Sequence, residues 1–152
     1  GVTKPGSTSA VPVNGIDWYP TLLELAGLKV PKKQKVDGVS LVPLLKGKAI
    51  PGRPLYWHYP HYHGSTWKPG ASIRDGDWKL IEFYHYKNFE LYNLADDPGE
   101  RQNLAKAKPT KAKLLRAKLL AWQKQMQAKL PVPNPDYEPN AKPNQRTPKT
   151  NQ

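Results

Sequence analysis

Cysteine is absent from the 152 residues, which excludes a disulfide framework, a Cys-based zinc site and thiol catalysis. No apolar run is long enough to cross a bilayer, and the opening GVTKPGSTS lacks a charged-then-apolar signal pattern. Either the chain is cytosolic or a preceding part has been removed. Acidic residues are also scarce, with 12 Asp and Glu against 24 Lys and Arg, a formal charge of +12. Such a surplus favours anionic partners such as nucleic acid, anionic lipid or sulfated polysaccharide, set against the plainer reading of a solvated basic face. There is no phosphate-cradling glycine loop and no serine nucleophile elbow. No nucleophile, base and orienting group can be assembled, so no catalytic residue and no metal ligand is assigned.

Proline, by contrast, is abundant and uneven: six of the 17 lie after Leu130. Residues 131–152 have almost no apolar side chains beyond Val132, Tyr137 and Ala141, too few to offset the entropy of ordering, and are expected to be an extended or disordered tail. The organised part centres on Arg53 to Leu94. Pro54 to Tyr59, Ala71 to Arg74 with Trp78 to Tyr86, and Phe89 to Leu94 are aromatic and branched runs punctuated by Gly, Pro, Asp and Asn, the pattern of a small antiparallel sheet. Asp75-Gly76 is the expected hairpin dipeptide. Alternation then puts Trp78, Leu80, Glu82 and Tyr84 on one face and Lys79, Ile81, Phe83 and His85 on the other. Neither set is purely polar, so one face should meet a helix and the other should be partly covered.

Asp17 reads as the N-cap of a helix running through Ala26, with Pro20 in the first turn and Gly27 as the stop. That helix is apolar around most of its circumference, which hints at a larger body to cover it. A shorter helix falls within LVPLLKG, ended by Gly47. Pro109 opens a long helix expected to reach about Leu130, because Leu115, Leu119, Trp122, Met126 and Leu130 form one stripe with Lys filling much of the rest. The fold class is therefore α+β: a small antiparallel sheet of about four strands packed under a long C-terminal helix, with a helical segment before it.

The cluster that stands out for chemistry is His58, His61 and His63, with Trp57 before it and Trp67 after. Three imidazoles so close could hold a metal or an anion. Pro60 breaks any regular ligand spacing, and no carboxylate lies within ten residues, so metal binding is the weaker reading. A loop that hydrogen-bonds a sugar or sulfate beside aromatic platforms is the stronger functional one, against a structural role at a strand end. Asp96, Asp97 and Glu100 read as a turn and not as a catalytic carboxylate pair. The Lys106 to Lys129 segment carries charge but no base-reading face, so nucleic acid is not the expected partner.

Taken in order, five blocks resemble the C-terminal part of type I, formylglycine-dependent sulfatases, the arylsulfatase and N-acetylgalactosamine-6-sulfatase-like branch of the alkaline-phosphatase-like superfamily. They are GIDWYPTLLELAG from Gly15, DGVSLVPLL from Asp37, RPLYWHY from Arg53, IRDGDWKL from Ile73 and ELYNLADDPGE from Glu90. The resemblance covers about Pro5 to Pro139. It implies that residues 1–48 are the end of a larger α/β domain and 49–130 the C-terminal subdomain, with 131–152 the tail. It also implies a calcium ion and a formylglycine made from Cys or Ser in a C/S-x-P-x-R motif, a motif this sequence lacks. The resemblance further implies a sulfated carbohydrate or aryl sulfate substrate, an upstream catalytic domain on the same polypeptide, and a periplasmic or extracellular location. On this reading His58, His61, His63 and Trp67 are substrate-rim residues of a piece that is inactive alone. The alternative is a free-standing basic module that binds polyanions such as sulfated glycans or nucleic acid.

Overall fold

The structure, a computed structural model, describes residues 3–63 and 68–135. Four strands, β1 (Leu55–Tyr59), β2 (Gly70–Asp75), β3 (Trp78–Phe83) and β4 (Asn88–Asn93), form one antiparallel sheet in the order β1-β2-β3-β4. Before the sheet lie a 3-10 turn (Gly15–Asp17), helix α1 (Trp18–Leu25) and the single-turn α2 (Val42–Leu45); after it comes α3 (Pro109–Gln125).

The β2–β3 hairpin is closed by the pair Asp75 and Trp78, so its two central residues are Gly76 and Asp77, one position beyond the expected dipeptide. Only the first of them has positive φ, 60° at Gly76. That is the II′ pattern, which needs glycine first and leaves the second residue unrestricted. The third strand ends at Phe83 and not at Tyr86, because Lys87 takes a left-handed φ of 50° and turns the chain into β4.

Alternation along β1 to β4 builds two different faces. On one, Ala71, Ile73, Leu80 and Leu91 pack with Ala112, Leu115 and Leu119 of α3 into the main core, with Tyr56, Trp78, Phe89 and Trp122 around it. Tyr56 and Trp122 stack with centroids 4.8 Å apart and planes 3° from parallel. Ion pairs fasten the helix margins, Arg116 Nη2 to Glu82 Oε1 at 2.7 Å and Lys118 Nζ to Asp75 Oδ2 at 2.6 Å. Part of the lysine and arginine surplus is thus engaged in holding α3 to the sheet.

The helix stops earlier than its apolar stripe. Gln125 is its last residue, and Met126 and Leu130, expected to be covered, are 48% and 55% exposed. Gln127 adopts a left-handed φ of 51°, and Ala128 N–H closes the end on the Gln123 carbonyl at 2.9 Å. This reversal carries residue 129 back to β1, well before Pro131 could interrupt the helix.

Asp17 does not cap α1 with its side chain. Its carboxylate is fully buried and accepts hydrogen bonds from Asn14 N–H at 2.8 Å and Val39 N–H at 3.0 Å. Arg53 Nη2 lies 2.5 Å from both of its oxygens. One side chain thereby joins the turn before α1, the approach to α2 and the entrance to β1. Thr21 adds a second link, donating to Asp17 O at 2.5 Å and accepting from Leu41 N–H at 2.9 Å. Gly38 passes so close to Ile16 that an added Cβ would sit 2.1 Å from its carbonyl oxygen. No other residue fits that crossing without displacing the backbone. Elsewhere α1 is open to solvent: Trp18, Leu22 and Leu25 are each about half exposed or more, at 55%, 59% and 48%.

Candidate functional site

The sheet face opposite α3 carries a groove of about 900 Å3. Its floor is built by residues that alternation turns away from the helix: Trp57 and Tyr59 from β1, Ser72 and Arg74 from β2, and Lys79 from β3. Leu94, Pro98 and Glu100 form one wall, and His63 another. Leu55, Ile81 and Tyr92 on the same face are buried, so the floor is partly covered, as the mixed polarity of the strands implied.

The Leu94–Glu100 wall is a turn held by its own carboxylates. Asp97 Oδ2 accepts from Arg101 N–H at 2.7 Å and Gln102 N–H at 2.8 Å, while Asp96 accepts from the Asn93 side chain. Neither is placed as one of a catalytic pair. Glu100, with a left-handed φ of 54°, aims its carboxylate at Lys79, Oε1 to Nζ 2.6 Å. Tyr92 donates to Glu90 Oε2 at 2.8 Å, and burial followed by Glu90 pushes its hydroxyl up to about 12.

The histidines take different positions. His58 lies on the α3 side of the sheet, next to Ala71 in register. Its Nε2 is 3.1 Å from the carbonyl oxygen of Lys129, which can only accept, so Nε2 carries the proton. Nδ1 then accepts from the Tyr84 hydroxyl at 2.8 Å, and Tyr84 oxygen accepts from Gln123 Nε2 at 2.6 Å. Burial, opposed by the Gln123 bond, raises the Tyr84 hydroxyl to about 12. His61 and His63 instead meet Tyr59 edge-on, at centroid distances of 5.6 and 6.5 Å. Tyr62 is tied to His85 Nδ1 at 2.7 Å, which fastens this loop to the β3–β4 turn. Trp67 lies outside the described residues. The structure therefore groups His61 and His63 with Tyr59 near the groove and separates His58 from them.

Among the described residues no group of three or more His, Asp or Glu side chains is placed to hold a metal ion. The described residues do not fit a calcium site. No described helix is long and apolar enough to cross a membrane.

A four-stranded meander under one long helix, preceded by a short helical unit, is an architecture this chain shares with solved sulfatase structures. A solved structure of a protein in complex with its substrate D-glucosamine-2-N,6-O-disulfate superimposes with a TM-score of 0.70 at 34% identity, covering 83% of this chain and 27% of that one. The family described as N-sulphoglucosamine sulphohydrolase, C-terminal, matches residues 1–129, and the chain belongs to it. A sulfatase of Formosa agariphila is 37% identical over 138 residues, spanning 80% of this chain and 25% of its own length. An N-acetylglucosamine-6-O-sulfatase of Bacteroides thetaiotaomicron is 36% identical over 107 residues, 66% of this chain and 19% of its own length. The fold also serves a neighbouring chemistry: a phosphonate monoester hydrolase of Silicibacter pomeroyi matches with a TM-score of 0.60 at 25% identity, covering 81% of this chain and 27% of that one. The chain thus spans about a quarter or less of the length of the curated relatives just described.

Proposed function

We propose that the protein to which this chain belongs is a sulfuric ester hydrolase acting on sulfated carbohydrate, and that this chain forms one wall of its substrate cleft. The family match over residues 1–129 carries the reading, and the relatives named for glycan sulfate esters narrow the substrate class. Residues 1–48 belong, on this reading, to the end of the α/β domain, and 49–130 form the C-terminal subdomain. The half-exposed Trp18, Leu22 and Leu25 of α1 suit an abutment against the rest of that domain. Calcium and formylglycine supply the sulfate-cleaving chemistry from outside these residues. What this chain contributes is shape and contact. The His61–His63 loop forms the rim, while His58, held by Tyr84 and by the Lys129 carbonyl, fixes the strand that carries Trp57 and Tyr59. Family resemblance supports a periplasmic or extracellular location for such an enzyme.

The test is hydrolysis of an aryl sulfate, with a phenyl phosphonate ester as the competing substrate. A longer polypeptide containing this chain should turn over the sulfate in a calcium-dependent way and prefer it to the phosphonate, and the 152-residue chain alone should show no turnover. Measurable sulfate hydrolysis by the isolated chain, or a preference for phosphonate in the longer one, would overturn the reading.

A further inference from the structure

The groove floor contains an arrangement that a sheet does not ordinarily keep. Arg74 of β2 and Lys79 of β3 are directly opposite one another, so their Cβ atoms are about 4.5–5.5 Å apart, and like charges in that relation repel. An anion between them relieves the repulsion. Glu100 supplies half of that relief, at 2.6 Å from Lys79. Arg74 has no equivalent: its one hydrogen bond among the described residues runs from Nε to the Gly76 carbonyl at 3.2 Å, which leaves both terminal nitrogens open. Its neighbour Asp75 points to the other face and is engaged by Lys118.

The next row along the strands pairs Trp57 with Ser72. Trp57 is 42% exposed and Tyr59 41%, although both are large aromatic side chains in a sheet. An indole face is flat, apolar and electron-rich, which suits the C–H face of a sugar ring. Arg offers parallel N–H donors to two oxygens of a tetrahedral anion, and Lys a compact charge. Arg74, Lys79 and Glu100 together carry one net positive charge, matching a sulfate monoester and not a dianionic phosphate monoester.

We infer that this groove is a recognition subsite for a sulfated sugar residue, in which Arg74 and Lys79 take the sulfate, Trp57 stacks under the ring, and Glu100 is a built-in stand-in anion that releases Lys79 on binding. The inference rests on the sulfated-carbohydrate reading above and adds the residues that read the anion.

The experiment titrates the full 152-residue chain with heparan, chondroitin and ulvan-type sulfated oligosaccharides and their desulfated counterparts, followed by tryptophan fluorescence at ~150 mM salt. Arg74→Ala should weaken binding of sulfated sugars roughly tenfold to a hundredfold, as loss of charge-assisted hydrogen bonds does, with little effect on desulfated ones. Trp57→Ala should weaken both. Glu100→Gln removes the competing anion and should tighten sulfated ligands several-fold, a gain that a merely misfolded variant does not produce. Equal affinity for sulfated and desulfated sugars, an unchanged affinity in Arg74→Ala, no gain in Glu100→Gln, or no binding by any member of the panel overturns the inference. Aryl sulfate turnover by the longer polypeptide is read separately. Turnover without groove binding refutes the subsite alone, and groove binding without turnover refutes the sulfatase reading alone.

Discussion

Asp17 gives the most demanding test of how the two parts of the chain are joined. Its carboxylate is 0% exposed while the Arg53 side chain is 22% exposed, and the two are 2.5 Å apart. Removing one partner of a buried pair strands the other charge, at about 3–5 kcal/mol. In Asp17→Ala the stranded charge is Arg53, which water can partly reach, so the cost should fall near the low end, about 3 kcal/mol. In Arg53→Met the stranded charge is the fully buried carboxylate, which is left with the Asn14 and Val39 N–H groups as hydrogen-bond donors. That variant should therefore be the worse of the two, by about 1 kcal/mol or more. The double variant should recover part of the loss, because no unpaired ion is left. Urea denaturation followed by tryptophan fluorescence gives the energies by linear extrapolation. Hydrogen exchange at the amides of Val39 and Leu41 shows whether the loss is local to the α1–α2 unit. A cost below about 1 kcal/mol for Asp17→Ala, or strictly additive single effects in the double variant, would refute the reasoning.

Three further outcomes follow from the packing and the tyrosines. Leu119→Ala, at a site with no exposure, should cost about 2–5 kcal/mol, whereas Met126→Ala, at 48% exposure, should stay within about 0.5 kcal/mol; equal urea midpoints would contradict the observed end of α3. Gly38→Ala forces a Cβ to 2.1 Å from the Ile16 carbonyl oxygen and should lose about 1–3 kcal/mol or more, measured by thermal or urea unfolding. Tyr84 and Tyr92 hold their protons up to about 12 against an ordinary 10, so their contribution is complete below pH 10, where folded and unfolded chains are both protonated. Between pH 10 and 12 the unfolded chain sheds these protons first and stability falls, a slope that urea titrations across that range should show and Tyr92→Phe should flatten.

Much of the architecture is legible from local pattern. Period-two alternation around Asp75-Gly76 foretells the hairpin and its two faces, and Pro109 marks the start of α3. Where expectation and structure part, the deciding partner is distant. Asp17 has the composition of a helix cap, yet its carboxylate is claimed by Arg53, 36 positions on, a contact no local pattern reveals. Met126 and Leu130 continue the spacing of Leu115 and Leu119, but the chain turns at left-handed Gln127, and the Lys129 carbonyl meets His58 instead. The histidine cluster is close in sequence and divided in space, since strand geometry sends His58 toward α3 while Trp57 and Tyr59 face the groove. That alternation was available as a signal. So was the position of Arg74 and Lys79, equidistant from the Gly76-Asp77 turn and therefore opposite one another, the pair a hairpin register exposes.

β1 writes to both sides of the sheet at once: Tyr56 and His58 serve the helix, Trp57 and Tyr59 the opposite surface. Deleting or inserting a single residue in this strand would interchange the two sets, seating an indole in the oily interior and exposing the Tyr56 ring. Diversification of the part of this surface that β1 supplies is therefore confined to replacements at positions 57 and 59, and length variation should be found only in the connections beyond the strand's ends.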